Sequence, residues 1–311
     1  MNNRIRLLTG LLALQLALIG VFWIAKGSTT SDEGPWIALD DELVNRIEVS
    51  DRGSVVTVVK ESDDWRVDAY PADDKKIADI LEKLVGLKAP WPVATSRDAL
   101  QRFEVDEALY QRRLRVYEGK EVRLDLYLGT SPGYQRVHAR KGEDDEVYSV
   151  ALSNYELAVN VDGWLDKALL ASEDSPTKVA ARFSDGREIA LTQQAEGWLV
   201  DGEAANQAEA RTYTDRFKTL RVIGVYTSDK TLSQLATIEL GDPVAQALEI
   251  LREGEDGDYV IRNAGDETGF KVATYIAEQL LMTDADLAVT NEEESDARSE
   301  EGLSKDASDA G

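Results

Sequence analysis

The sequence predicts an α+β fold, with an N-terminal transmembrane helix followed by two repeated modules, each an antiparallel sheet with helices packed on one face. Three observations predict it. Residues 7–25 carry no charge, strand-like runs of alternating apolar and polar residues follow between turn residues, and the order of these runs begins again after Pro176. The run Trp65-Arg66-Val67 returns as Trp198-Leu199-Val200, an offset of 133 residues.

The predicted membrane anchor is the uncharged stretch 7–25, which as a helix would span about 28 Å, close to the thickness of a bilayer core. Arg4 and Arg6 precede it and only Lys26 follows closely, so the N-terminus is predicted to be cytoplasmic. A cleaved signal is the alternative, but the stretch is long for one and its end is a poor cleavage site. We therefore predict a single-pass protein of the inner (cytoplasmic) membrane, with its body periplasmic or otherwise extracytoplasmic.

Within the anchor, small residues recur at spacings of three and four and share one helix face: Gly10, Ala13, Ala17 and Gly20. Such a face lets a second membrane helix approach closely, although Gly and Ala are also common in spans without a partner. Phe22 and Trp23 are predicted to anchor the helix at the outer headgroup level.

Composition and turn residues predict the domain boundaries. These are an anchor (1–26), a linker (27–40), a first α+β repeat module (41–170), a second linker (171–177), a second α+β repeat module (178–283) and a disordered acidic tail (284–311). The tail holds ten acidic and two basic residues, which is typical of a solvated segment.

The first module is predicted to open with a hairpin around the turn Asp51-Arg52-Gly53, followed by a short strand at Trp65. Apolar residues at helical spacing then predict a helix from Asp73 or Asp74 to about Leu87. Beyond it we predict a hairpin joining 114–117 to 122–128, strands near 134–139 and 147–150, and a short helix near 154–159.

The second module repeats this order with one strand fewer. It is predicted to contain strands at 179–183, 188–191, 198–200, 248–251, 259–262 and 270–273, and helices at about 206–220 and 275–282.

The composition excludes several classes of function. The net charge of −24 argues against binding to nucleic acid, because the phosphate backbone would be repelled. The chain has no cysteine, which excludes thiol nucleophiles, cysteine metal sites and disulfides.

The single histidine, His138, is predicted to lie at the surface. Strand alternation places it on the same polar side as Arg136 and Arg140, and these cations would lower its pKa. A Ser–His–acid site would have to use it, and a zinc site needs more ligands than one histidine.

Other motifs also favour structure over chemistry. The acidic turns 142–146 and 253–258 could bind Ca²⁺ but do not fit the twelve-residue calcium loop, and no glycine-rich phosphate loop is present. Trp65 and Trp198 are predicted to be core anchors. We therefore predict no catalytic, cofactor-binding or metal-ligating residue.

Several packing motifs resemble the domain-of-unknown-function family DUF4340. They are the N-terminal span, the Trp65-Arg66-Val67 strand, Leu126-Tyr127-Leu128-Gly129, Val147-Tyr148-Ser149-Val150 and Trp164-Leu165-Asp166-Lys167-Ala168-Leu169. The resemblance covers residues 1–170 best, and the second module lacks the Leu-Tyr-Leu-Gly element. Members of this family often accompany ABC-type transport systems similar to those linked with gliding motility. The resemblance therefore implies an accessory envelope component and brings no catalytic residues.

Together these observations predict a non-enzymatic, membrane-anchored extracytoplasmic accessory protein of an ABC-type transport system, acting by protein–protein or cargo binding. Its expected partners are the lipid bilayer, through residues 7–25, and ABC-type transporter subunits. Two alternatives stay open: an envelope hydrolase that uses paired carboxylates on glycan or peptide, and a small-ligand or cation-binding module.

Overall fold

Antiparallel strands make up most of the regular structure in the computed structural model, which describes residues 36–89, 91–142, 144–241, 245–281 and 284–288 together with Gln15. The first ten strands are β1 (Val44–Ser50), β2 (Val55–Glu61), β3 (Asp64–Val67), β4 (Tyr70–Pro71), β5 (Val105–Asp106), β6 (Leu109–Tyr110), β7 (Arg112–Glu118), β8 (Glu121–Leu128), β9 (Val137–Lys141) and β10 (Tyr148–Val150). The later strands are β11 (Lys178–Phe183), β12 (Glu188–Gln194), β13 (Gly197–Val200), β14 (Glu203–Ala204), β15 (Val222–Val225), β16 (Leu232–Gly241), β17 (Gln246–Glu253), β18 (Tyr259–Asn263) and β19 (Phe270–Val272). The α-helices are α1 (Asp74–Val85), α2 (Arg97–Arg102), α3 (Gln207–Lys218), α4 (Thr274–Leu280) and α5 (Asp284–Leu287), and short 3-10 turns occur at Asp41–Leu43 and Val161–Gly163.

The predicted α+β fold class with a transmembrane helix was wrong. The described residues are mostly antiparallel sheet, and their α-helices are only 4 to 12 residues long. None of these described helices is long and apolar enough to cross a membrane. The predicted helix at 7–25 lies, apart from Gln15, outside the described residues, and the predicted helix near 154–159 is a series of turns. Short segments that were not predicted to be strands form β4, β5, β6 and β14, so the protein contains more sheet than predicted.

The chain divides into two compact units. The first comprises the described residues up to Val55 together with Lys75–Leu157. Its main sheet has the strand order β10-β9-β8-β7-β1 with antiparallel neighbours, and β5 and β6 form a separate ribbon. Alternate residues of β7 are buried, so one face of this sheet packs into a core. The buried residues of α1 are Ile77, Ile80, Leu81 and Leu84.

The second unit comprises Val56–Asp74 and the described residues from Ala158 onward. Strands β2, β3 and β4 are successive antiparallel neighbours, and a nine-stranded sheet has the order β14-β13-β12-β11-β16-β17-β18-β19-β15. Its core includes Phe217, Ile238 and Ile250, all fully buried. Helix α3 begins at Gln207 because the Asn206 side chain accepts the backbone N–H groups of residues 208 and 209.

The pattern of strand pairing occurs twice along the chain. Strand β1 pairs with β7 as β11 pairs with β16, and β7 to β10 are consecutive neighbours as β16 to β19 are. A twelve-residue helix follows β4 and another follows β14. The second round does not lack a strand, contrary to the prediction, because β16 takes the place of β7.

Candidate functional site

The residues predicted to act inside the membrane are not among those that the structure describes. Gly10, Ala13, Ala17, Gly20, Phe22 and Trp23 all lie outside the described residues. Their predicted roles stay predictions.

His138 lies in a buried position, so the predicted surface role was wrong. Its side chain is 9% exposed, its Nδ1 atom is 2.9 Å from Thr130 Oγ1, and its ring packs on Phe103 with 4.3 Å between the centroids. Phe103 and Thr130 cover the face of β9 that carries His138, and the alternation of polar and apolar residues in the sequence did not indicate this cover. Burial lowers the pKa of His138 more than a hydrogen bond to the Thr130 backbone raises it, and the positive charge of Arg102 also lowers it. In the described part of the chain no carboxylate contacts this ring, so it is packed as a neutral side chain.

Each of the two acidic turns forms an ion pair with a residue from another segment of the chain. Arg97 approaches Asp145 at 3.2 Å in the first turn, and in the second Glu253 accepts a hydrogen bond from the Tyr226 hydroxyl at 3.1 Å and pairs with Lys230. The hydrogen bond from Lys230 lowers the pKa of Glu253. Among the described residues, no group of three or more His, Cys, Asp or Glu side chains could hold a metal ion.

A groove of about 630 Å³ lies in the first unit, between the C-terminal half of α1 and the end of the sheet formed by β9 and β10. The apolar residues of α1 are buried, which leaves its polar residues to form one wall. The residues that line the groove include Asp79, Glu82, Lys83, Lys88, Arg136 and Ala151. We call this feature the α1–β10 groove.

Part of the charge in the α1–β10 groove is neutralised. Lys75 approaches Asp79 at 2.6 Å, and Lys83 forms an ion pair with Glu156. Lys88 and Arg136 have no carboxylate partner among the described residues.

Arg136 instead donates hydrogen bonds to Ser149, to Oγ at 2.9 Å and to the carbonyl oxygen. Glu82 also lines the groove and has no ion pair in the described part of the chain, so one free carboxylate accompanies the two cations Lys88 and Arg136. The groove therefore offers cationic donors in a chain whose net charge is −24.

Three large aromatic side chains close in sequence to lining residues are exposed to solvent. Trp91, three residues after Lys88, is 81% exposed, and Tyr134, two residues before Arg136, is 89% exposed. Tyr155, which precedes the partner of Lys83, is 97% exposed. Exposed Trp and Tyr together with Arg are the residue types that carry most of the binding energy in protein interfaces.

Sequence reasoning did not identify this groove. The run Pro90-Trp91-Pro92 was interpreted only as the end of a helix. The other residues come from separate segments that are brought together by the fold, and no local pattern marks them.

The motif residues that suggested a family relationship have structural roles. Gly129 lies where a Cβ atom would be 1.9 Å from the Phe103 carbonyl oxygen, so only glycine fits. Trp164 is fully buried and donates from Nε1 to the Ala158 carbonyl at 2.8 Å, and Lys167 donates to the Ile223 carbonyl at 2.8 Å. Burial lowers the pKa of Lys167.

The family described as Domain of unknown function (DUF4340) matches residues 65–243, which are 179 of the 311 residues and extend into the second round of strands. No curated protein matches the chain, and no solved structure matches it. Because the family covers more than half of its length and includes most of the motifs named above, this chain belongs to the DUF4340 family.

Proposed function

We propose that the protein is a non-enzymatic accessory protein of the cell envelope that acts by binding another protein, and that the α1–β10 groove is its binding surface. The observation that carries this proposal is the exposure of Trp91, Tyr134 and Tyr155, each of which lies within three residues in sequence of a groove-lining residue or of the ion-pair partner of one. Aromatic rings left in water are unfavourable, and exposed aromatic residues together with arginine are typical of an interaction site.

The proposed partner is a subunit of an ABC-type transport system or the cargo of that system. Support comes from the resemblance of the sequence to a family whose members accompany such systems. An interaction with nucleic acid is not proposed, because the net charge of −24 opposes it.

The proposed location is the inner (cytoplasmic) membrane, with attachment through residues 7–25 and the body outside the cytoplasm. Support comes from the uncharged run and from the two arginines that precede it. Protease added to intact spheroplasts should digest the body. Full protection of the body in intact spheroplasts, with digestion only after lysis, would contradict this orientation.

The binding role is tested by purifying the full chain in mild detergent and identifying the proteins that accompany it. We expect ABC-type transporter subunits with the wild type and their loss with the double variant Trp91→Ala/Tyr155→Ala. Tyr275→Ala is the matched control, because Tyr275 is 63% exposed but belongs to the second unit. Equal recovery of the subunits with the double variant would show that the groove is not the binding surface.

The two alternatives, a hydrolase with paired carboxylates and a small-ligand or cation-binding module, stay predictions from the sequence. No feature of the described residues favours either over partner binding.

A further inference from the structure

We infer that the α1–β10 groove takes an extended peptide segment that carries a carboxylate, and that this segment pairs with the outer edge of β10 as an additional strand. The inference rests on the proposed function, because it names the chemistry of the partner for the same groove. Three observations support it. Backbone groups of β10 point outward at the edge of the sheet, the hydrogen bonds that residues 93–94 make along this edge stop at Val147, and cationic side chains line the groove.

The backbone groups of Ser149 point away from β9. Ser149 is paired with His138 in the register of β9 and β10. The His138 N–H donates to the Thr130 carbonyl at 2.9 Å and its carbonyl accepts the Gly129 N–H at 2.9 Å, so both groups are directed to the opposite side. Hydrogen-bonded and non-hydrogen-bonded pairs alternate along antiparallel strands. The Ser149 N–H and carbonyl therefore face outward, at the edge of the sheet.

The existing pairing of this edge stops before Ser149. Val147 exchanges hydrogen bonds of 2.7 and 2.8 Å with residues 93–94. No hydrogen bond joins residues 91–92 to Ser149 in the described part of the chain. No acceptor of the Ser149 N–H is found in the described part of the chain. Ala151, the next residue that faces outward by alternation, lies in the groove wall.

Arg136 occupies the acceptor of this edge in the free protein, because it donates to the Ser149 carbonyl and to Ser149 Oγ. A backbone N–H of an added strand would replace the guanidinium at the carbonyl and release it. The released Arg136 and the unpaired Lys88 would then present two cations to the bound segment. A carboxylate is the complementary group, and its pairing with a guanidinium is a strong, charge-assisted hydrogen bond.

The groove has the shape that strand addition requires. Ala151, which directly follows the edge strand β10, and Arg136 line one side of it, and α1 with the residues after it lines the other. An extended peptide that continues along the edge of β10 can therefore use main-chain hydrogen bonds on one side and side-chain contacts on the other. The exposed rings of Trp91 and Tyr155 are available for additional contacts.

The probe is a fluorescein-labelled octapeptide of alternating threonine and valine with one central aspartate, titrated with the full chain in mild detergent at about 0.15 M salt. The matched control is the same peptide with N-methyl groups at alternate residues, which removes the strand donors but keeps the charge. We expect the control to bind at least about tenfold more weakly by fluorescence anisotropy. Equal binding of the two peptides, or no binding of either, would overturn the inference.

Two variants test the edge itself. Ser149→Pro removes the outward N–H, and proline is tolerated where an edge N–H faces solvent; Ser149→Ala keeps the N–H. We expect Ser149→Pro to weaken peptide binding at least about tenfold and Ser149→Ala to change it less than about twofold. Thermal unfolding verifies that Ser149→Pro is folded. If this variant does not fold, the comparison of the unmodified and N-methylated peptides on the wild type tests strand addition instead. Unchanged binding by folded Ser149→Pro would overturn strand addition.

The charge preference is tested with Arg136→Gln and with a peptide that has lysine in place of aspartate. The wild type should prefer the aspartate peptide, and Arg136→Gln should lose most of that preference. Failure of strand addition is distinguishable from failure of the proposed function. If partner recovery still requires Trp91 and Tyr155 while N-methylation has no effect, the groove binds its partner and strand addition is overturned.

Discussion

Trp65 and Trp198, 133 residues apart, each donate their backbone N–H to the side chain of the first residue of the following helix. The acceptor of the Trp65 N–H is Asp74 Oδ1 at 3.4 Å, and that of the Trp198 N–H is Gln207 Oε1 at 2.7 Å. Both indoles are buried, as predicted, with 8% and 4% exposure. In each round of the repeat, the side chain of the first helical residue therefore links the start of the helix to the preceding strand.

We predict that Gly197→Ala destabilises the protein by breaking this arrangement. Gly197 has φ +127°, and a Cβ atom there would lie 2.6 Å from Gln207 Oε1, the acceptor of the Trp198 N–H. The free energy of unfolding, measured by urea denaturation with tryptophan fluorescence, should fall by about 2 kcal/mol or more.

The control for this prediction is Gly186→Ala. Gly186 also has a positive φ, +91°, but a Cβ atom there would meet nothing within 4 Å. This variant should show only the backbone cost, about 1 kcal/mol. A loss in Gly197→Ala no larger than in Gly186→Ala would contradict a role for the contact with Gln207.

The sequence predicted the strongly periodic elements well. Strand β8 was expected at 122–128 and occupies Glu121–Leu128, and helix α1 was expected from 73 or 74 to about 87 and occupies Asp74–Val85. In both, a regular spacing of apolar residues is set by burial of a single face.

Strand β16, Leu232–Gly241, was missed although it is ten residues long. Its pairing with β17 shifts register between Gln234 and Ala236, and Leu235 at this shift falls on the opposite alternation to Ala236 and the apolar residues that follow it. The α1–β10 groove could not be predicted either, because it is formed by residues that are up to 72 positions apart, from Asp79 to Ala151. The periodicity of apolar residues predicts which side chains are buried, but it does not predict which segments become neighbours in the fold.

Gly129→Ala is predicted to be strongly destabilising. The added Cβ atom would lie 1.9 Å from the Phe103 carbonyl oxygen, a backbone atom that cannot turn aside as a side chain would. We expect the free energy of unfolding to fall by about 3 kcal/mol or more. The control is Gly133→Ala, where the Cβ atom would meet nothing within 4 Å and little change is expected. Similar urea midpoints for the two variants would contradict the close approach.

Arg140 is predicted to stabilise the first unit through backbone carbonyls. The residue is 3% exposed, and it donates from Nε to the Val105 carbonyl at 2.7 Å and from Nη1 to the carbonyls of Gly142 and Asp144. Its guanidinium lies 4.4 Å from the centroid of the Tyr127 ring. Arg140→Met should lower the free energy of unfolding by about 2–4 kcal/mol, because the carbonyls lose their donors.

The matched control for Arg140 is Arg123→Met. The Arg123 side chain forms an ion pair with Glu118 at 2.7 Å and is 49% exposed, so its guanidinium remains in contact with water. Its loss should cost less than about 1 kcal/mol. If both variants unfold at the same urea concentration, the buried carbonyl contacts of Arg140 do not contribute as inferred.

His138 is predicted to make stability depend on pH. Burial lowers the pKa of His138 in the folded protein below the unperturbed value of 6.5, so the unfolded chain binds the proton more readily. The contribution of a neutral His138 is therefore fully present above about pH 6.5 and is lost as the pH falls through that value toward the lowered pKa of the folded state.

The variant His138→Gln tests this prediction, because its side chain cannot take up this proton. The difference in the free energy of unfolding between wild type and His138→Gln, measured by urea denaturation from about pH 8 to pH 5, should decrease on acidification, while the carboxylates shared by both proteins cancel. An increase of that difference at acidic pH would mean that the hydrogen bond to the Thr130 backbone stabilises the imidazolium more than burial disfavours it, which would contradict the lowered pKa.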